Sequence, residues 1–302
     1  MMNLKKNGIL CLLFTAIQTV VFSQGTTLPG KDLFGRKYKK GEIYRYRLTL
    51  DEIHNEQWQF RNISECEMQV KDTAGIYFDE VHWLSAKTIR VKDTANENQY
   101  AIAVKPYRIS LDPRKMIMTL PKIEIPEMTE AIEDFQTFFV AISPMLGAYR
   151  LGKTGDSAIM PQQIKADFSN GANIKKGDDC FAISVRMIGE KTDEVIIQTR
   201  FMPTSKPCFP YILAEMNTPV IKDTANNFQE VTQTGNDQFT IQYGREMFYI
   251  NSTIRKSDGK ILHAEMFNTL NLKTHTNCNS EYKNCQDASP TSMQRNLRLE
   301  LL

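Results

Sequence analysis

The chain has 302 residues, 41% hydrophobic and 10% aromatic, enough for one large core or two small ones. Its 37 Lys and Arg nearly balance 35 Asp and Glu. That balance excludes long-range attraction to nucleic acid or to an anionic membrane surface.

At the start, Lys5 and Lys6 precede the apolar run 9–22 and the small residue Ser23. Basic residues, a short apolar stretch and a small residue at the cut predict a secretory signal peptide, residues 1–23, with a retained signal anchor as the alternative. No second apolar run approaches bilayer length, so the mature chain, residues 24–302, is expected to have no transmembrane segment and to be periplasmic or extracellular. Cleavage removes Lys5 and Lys6 and no acid, which leaves a formally neutral product.

Strand patterns follow. Tyr44, Tyr46, Leu48 and Leu50 alternate with polar residues, and Trp58, Phe60, Cys66, Met68 and Val70 share one parity against a polar set. Residues 76–84, 88–91, 100–104, 107–111 and 116–125 read as further strands.

Between residues 126 and 147 the period changes to helical. Met128, Ala131, Ile132, Phe135, Phe138, Phe139, Ile142 and Leu146 fall on one side, and Glu127, Glu130, Glu133, Asp134 and Thr137 on the other. This predicts a half-buried helix over about 127–143, opened by Pro126 and ended by Ser143-Pro144 and Gly147. Such a helix holds only if something apolar covers it.

Alternation resumes at 181–187, 195–201, 228–234, 238–243, 247–255 and 262–272, with Ser257-Asp258-Gly259-Lys260 as a hairpin turn and Leu297, Leu299 and Leu301 as a closing strand. Four prolines between 203 and 219 predict an ordered loop. The expected fold is mainly β (α+β): a strongly curved antiparallel sheet or unclosed β-barrel, a single domain over 24–302, wrapped round the one amphipathic helix. Two small β domains on either side of residue 147 are the alternative. Lys-Asp-Thr-Ala at 71–74, 92–95 and 222–225 reads as a shared turn, since Asp and Thr side chains bond nearby backbone N–H groups.

Five cysteines survive cleavage. Cys278 and Cys285 bracket six polar residues and are expected to staple a loop. Cys180 and Cys208 flank a predicted hairpin and form the second expected pair, although four cysteines admit three connectivities. Cys66, on the apolar parity of its strand, is then a buried thiol. Neither C-x-x-C nor clustered histidine is present, so no metal site is expected.

The catalytic motifs fail on context. Residues 147–154 match the P-loop pattern, but they follow a helix, and Gly155 and Pro161 forbid one after them. Gly155-Asp156-Ser157 lacks the downstream Asp-x-x-His of GDS-type lipases. His54, His82, His263 and His275 stand singly, and the adjacent Asp178 and Asp179 point apart.

The segments 134–147, 155–157 and 201–203, with the run FYINSTIRKSDGKILHAEMFNTL at 248–270, resemble an uncharacterised family of secreted Gram-negative bacterial proteins. The curved sheet with an inserted helix and a late S-D-G-K hairpin is similar to the periplasmic lipoprotein-carrier fold, an unclosed β-barrel that holds acyl chains. The leading expectation is a non-catalytic, cofactor-free domain that binds an apolar small molecule, lipid or lipidated partner between the curved sheet and the helix. The expected ligand-binding residues are Trp58, Phe60 and Trp83 on the sheet and Phe135, Phe138 and Phe139 on the helix. A cell-envelope interaction or structural module with a closed core is the rival, an extracellular hydrolase the third reading.

Overall fold

The computed structural model describes residues 33–112, 124–161, 172–174, 182–202, 211–213, 228–281, 283–286 and 289–302. The signal peptide, Cys180, Cys208, Asp178-Asp179, the third Lys-Asp-Thr-Ala and most of the 203–219 loop lie outside these residues.

Alternating sequence gives long strands with one dry and one wet face. Before the main helix come β1 (Ile43–His54), β2 (Gln57–Thr73), β3 (Ile76–Arg90), β4 (Thr94–Asn96) and β5 (Tyr107–Ile109). After it come β6 (Ser157–Pro161), β7 (Ala172–Ile174), β8 (Ala182–Glu190), β9 (Glu194–Phe201), β10 (Tyr211–Leu213), β11 (Phe228–Gly235), β12 (Gln238–Arg255), β13 (Ile261–Cys278) and β14 (Ser289–Leu301). Among the described residues twelve strands form one sheet in the order β4-β3-β2-β1-β14-β13-β12-β9-β8-β6, with β5 beside β3 and β11 beside β12. β7 and β10 pair separately. The pairing of β1 with β14 joins the first strands to the last, so chain from both sides of the helix enters one antiparallel sheet. That sheet starts at β4 and ends at β6 without closing on itself.

On the wet face of β1 and β2, Arg45 stands opposite Glu67, Arg47 opposite Glu65 and Asp51 opposite Arg61, each an ion pair of directly facing residues. Bulges interrupt this regularity. Glu52 faces Phe60 but Ile53 faces Trp58, so Gln59 is an extra residue; Leu84 plays the same part between Trp83 and Ser85. One inserted residue bends a strand and sends the side chains beyond it to the opposite face.

Of residues 100–104, expected as a strand, the first four belong instead to a short helix, α1 (Asn98–Ala103), and Val104 caps it. Tyr100 and Val104 are four apart, so they satisfy a period of two and a helical face equally well, and both lean on the core while Ile102 is exposed. Asn98 settles the matter locally by accepting a hydrogen bond from the Ala86 N–H through Oδ1 (3.2 Å).

The main helix, α2 (Thr129–Ala141), is flanked by 3-10 turns at Pro126–Met128 and Pro144–Leu146. Gly147, in the left-handed region at φ 82°, turns the chain away. The span matches the expected helix, but most of its expected wet side is dry: every residue from Ile132 to Ala141 is buried, Glu133, Asp134, Gln136 and Thr137 included, while Glu127 is exposed and Glu130 half-buried. An acidic stripe reads as a solvated face unless the opposing surface supplies a cation, and here a distant strand does so.

Candidate functional site

The buried face of the sheet and the phenylalanines of α2 meet in one aromatic cluster. The Phe135 ring lies edge-on to Tyr46 of β1 (5.9 Å between centroids) and to Trp83 of β3 (5.5 Å), and Phe139 lies 5.9 Å from Tyr46 and 5.0 Å from Phe135. Offset and edge contacts at such distances are the favourable arrangements for aromatic rings. Phe60 and Phe138 are also buried. Trp58 is elsewhere: the bulge at Gln59 turns it to the wet face, where it is 36% exposed and its indole N–H donates to Asp51 Oδ1 (3.1 Å). Five of the six expected residues therefore share the interior, and the sixth does not. At its far end α2 is tied to the opposite limb of the sheet, Thr199 of β9 donating its hydroxyl to the Ala141 carbonyl (2.6 Å).

A polar row crosses this apolar floor, and no motif in the sequence marks it. Glu52 of β1 faces Arg295 of β14, which faces Asn268 of β13; the Asn268 amide donates to Glu246 Oε1 of β12 (2.8 Å). Arg295, 2% exposed, reaches up to α2 and donates through Nη2 to Glu130 Oε1 (2.8 Å) and Asp134 Oδ2 (2.7 Å). Residues 130 and 134 are one helical turn apart, so a single guanidinium clamps both. Arg295 Nε and Nη1, Asp134 Oδ1, Glu133 Oε2 and Asn268 Oδ1 are buried and have no hydrogen-bond partner among the described residues.

Glu52, Glu130, Glu133, Asp134 and Glu246 thus gather around one guanidinium. Burial pushes Glu133 and Glu246 up to about 7, and pushes Asp134 up as well despite the opposing charge of Arg295. A carboxyl whose folded pKa lies above its unfolded value stabilises most below the unfolded value, about 4, and that contribution is lost as pH rises through about 7. Glu42, Asp51 and Glu80, held down by their Lys, Arg or His partners, act in the opposite sense at lower pH. Urea titrations should therefore show stability falling between pH 5 and 7 and levelling off above that range. Glu133→Gln and Glu246→Gln should flatten that slope; a profile that rises with pH in wild type would contradict the assignment.

One end of the sheet is strapped by residues 33–41. Arg36 lies 4.7 Å from the Tyr38 ring centroid and 5.3 Å from that of Tyr44, with its Nη2 3.2 Å from Glu42 and 3.6 Å from the buried Asp79. Burial raises the Asp79 carboxyl to about 6, against the pull of Arg36. The Lys37 N–H donates to the Asp258 carbonyl (2.9 Å) in the S-D-G-K turn. Gly259 sits there at φ 72°, and a Cβ on it would come within 2.4 Å of the Gly35 carbonyl oxygen, so this turn requires glycine.

The remaining motifs resolve structurally. In the P-loop-like stretch, Asp156 Oδ2 accepts from the N–H groups of Gly152 (2.7 Å) and Lys153 (3.0 Å), and Ser157 then opens β6 instead of a helix. The first Lys-Asp-Thr-Ala ends β2 in a turn through Ala74 (φ 52°) and Gly75 (φ 77°), and the second leads into β4. Cys278 and Cys285 form the expected disulfide. Cys66 is a buried free thiol whose burial raises its pKa, which keeps it protonated.

Fold and site together define a β-rich chain with a large unclosed antiparallel sheet about a central helix. No protein-family model and no curated protein matches the chain. Among solved structures it is similar to lipovitellin, in a structure concerned with lipid–protein interactions, at a TM-score of 0.38 and 11% identity over 88% of this chain and 25% of that one. The chain thus spans a quarter of that neighbour's length.

Proposed function

We propose that the protein is an exported, non-catalytic domain of residues 24–302 that binds an apolar ligand, an acyl chain or a lipidated partner, between the sheet and α2. The observation that carries this reading is the way one helix occupies an unclosed sheet: apolar side chains of β3, β2, β1, β14, β13, β12, β9 and β8 belong to one core, and α2 lies in it through Phe135, Phe138 and Phe139. Phe60 and Trp83 are the sheet-side candidates. Large apolar groups on a concave surface with a few convergent polar groups are what ligand sites are built from. Export is supported by the predicted signal peptide and by the Cys278–Cys285 disulfide, a bond that persists in oxidising compartments.

The test is solvent extraction and native mass spectrometry of protein purified from a cell-envelope or culture fraction. Co-purified lipid at a defined stoichiometry is expected. Finding none, together with no uptake of acyl chains by delipidated protein, would overturn the reading. In that case the closed-core envelope module takes its place, which the edge-to-face packing of Phe135 on Tyr46 and Trp83 favours.

A further inference from the structure

Building on the reading that an apolar ligand enters between sheet and helix, we propose that this ligand is an amphiphile ending in a carboxylate. In this proposal Glu130 and Asp134 of α2 hold Arg295 in the ligand's absence, and the ligand's carboxylate, arriving between sheet and helix, takes their place on it.

Three observations carry the inference. First, Arg295 lies on the dry face of β14, in the middle of the strand order, 2% exposed and facing the helix. Both helix carboxylates use one of its nitrogens, Nη2, while Nε and Nη1 have no partner among the described residues. A guanidinium presents pairs of N–H groups that suit the two oxygens of a single carboxylate, so the helix engages this fork incompletely. Second, the acids at 130 and 134 adjoin apolar rings, Phe135 lying against Tyr46 and Trp83 and Phe139 against Tyr46, so a carboxylate on Arg295 has an apolar path beside it. Third, a buried ion pair is no better for stability than well-packed apolar residues, so folding alone does not account for an arginine in the floor of an apolar concavity.

The charges are compatible. Arg295 is faced from α2 by Glu130, Glu133 and Asp134, from β1 by Glu52, which itself meets His54 (2.8 Å), and from β12 by Glu246, which is held by Asn268. The carboxylate takes the place of Glu130 and Asp134 on Nη2 while α2 stays over the apolar chain. An arriving carboxylate therefore replaces negative charge and does not add to it.

The test uses the delipidated mature chain and two probes with the same chain, laurate and lauryl alcohol, in calorimetric titrations at pH 8. Wild type should bind laurate at least tenfold more tightly than the alcohol. Glu130→Gln/Asp134→Asn, which removes the competing acids and keeps Arg295, should tighten laurate several-fold. Asp134→Leu/Arg295→Met, with both ionic partners made apolar, should keep the alcohol and lose the preference for the acid. Equal affinity of wild type for the two probes, or a preference that survives loss of Arg295, overturns this inference and leaves apolar binding standing. Binding of neither probe overturns the reading beneath it.

Discussion

Methionine in place of Arg295 alone should lower the free energy of unfolding by about 3 to 5 kcal/mol, the cost of leaving a buried charge without its partner. Asp134 would stay buried on α2 with no cation opposite, and Glu130 would lose the contact that draws it in from solvent. The same substitution combined with Asp134→Leu should return stability to within about 1 kcal/mol of wild type, because both charges leave together. Urea denaturation of the two variants at pH 7 measures the difference. If the single variant matches wild type, the clamp between β14 and α2 contributes nothing and the polar row is inert.

Phe135→Ala should cost a similar amount, about 3 to 5 kcal/mol, through lost transfer energy and the cavity left behind. Phe135 is fully buried and touches three rings on three elements: Tyr46 on β1, Trp83 on β3 and Phe139 on its own helix. Loss of the near-UV circular dichroism of Trp83 at lower urea than in wild type would report the helix leaving its seat. Trp58→Ala is the control, since its ring is half in water on the other surface and its removal should move the midpoint little. A Phe135→Ala variant with an unchanged midpoint would mean that the helix does not hold this part of the core together.

The architecture was legible where one period dominated. The alternation from Tyr44 to Leu50 gave β1, the three phenylalanines gave α2, and the need of that helix for an apolar cover implied a sheet drawn from both sides of it. Tyr100, Ile102 and Val104 misled because four residues is both two strand repeats and nearly one helical turn. Trp58 misled because a bulge leaves no mark in a parity count: the extra residue at Gln59 is set by its pairing with β1. The polar row was invisible for a different reason. Glu52, Asn268 and Arg295 each lie in strands where polar residues alternate with apolar ones, and only the register across β1, β14 and β13 brings them side by side. Arginine on a half-wet strand ordinarily faces water, and an acid on a helix ordinarily does the same. What could have drawn attention to it is Arg295 itself, which shares the parity of Met293, Leu297 and Leu299 where a hydrophobic residue is expected.

The pairing of β1 with β14 sets the order in which the molecule can be completed. β1 is made early and β14 late, so an emerging chain carries β1 with one side of its backbone bare until more than two hundred further residues have appeared. The guanidinium that anchors α2 arrives with the same late strand. A chain arrested before residue 289 would hold two half-sheets with raw edges and a helix without its arginine clamp, a species prone to aggregate or be degraded.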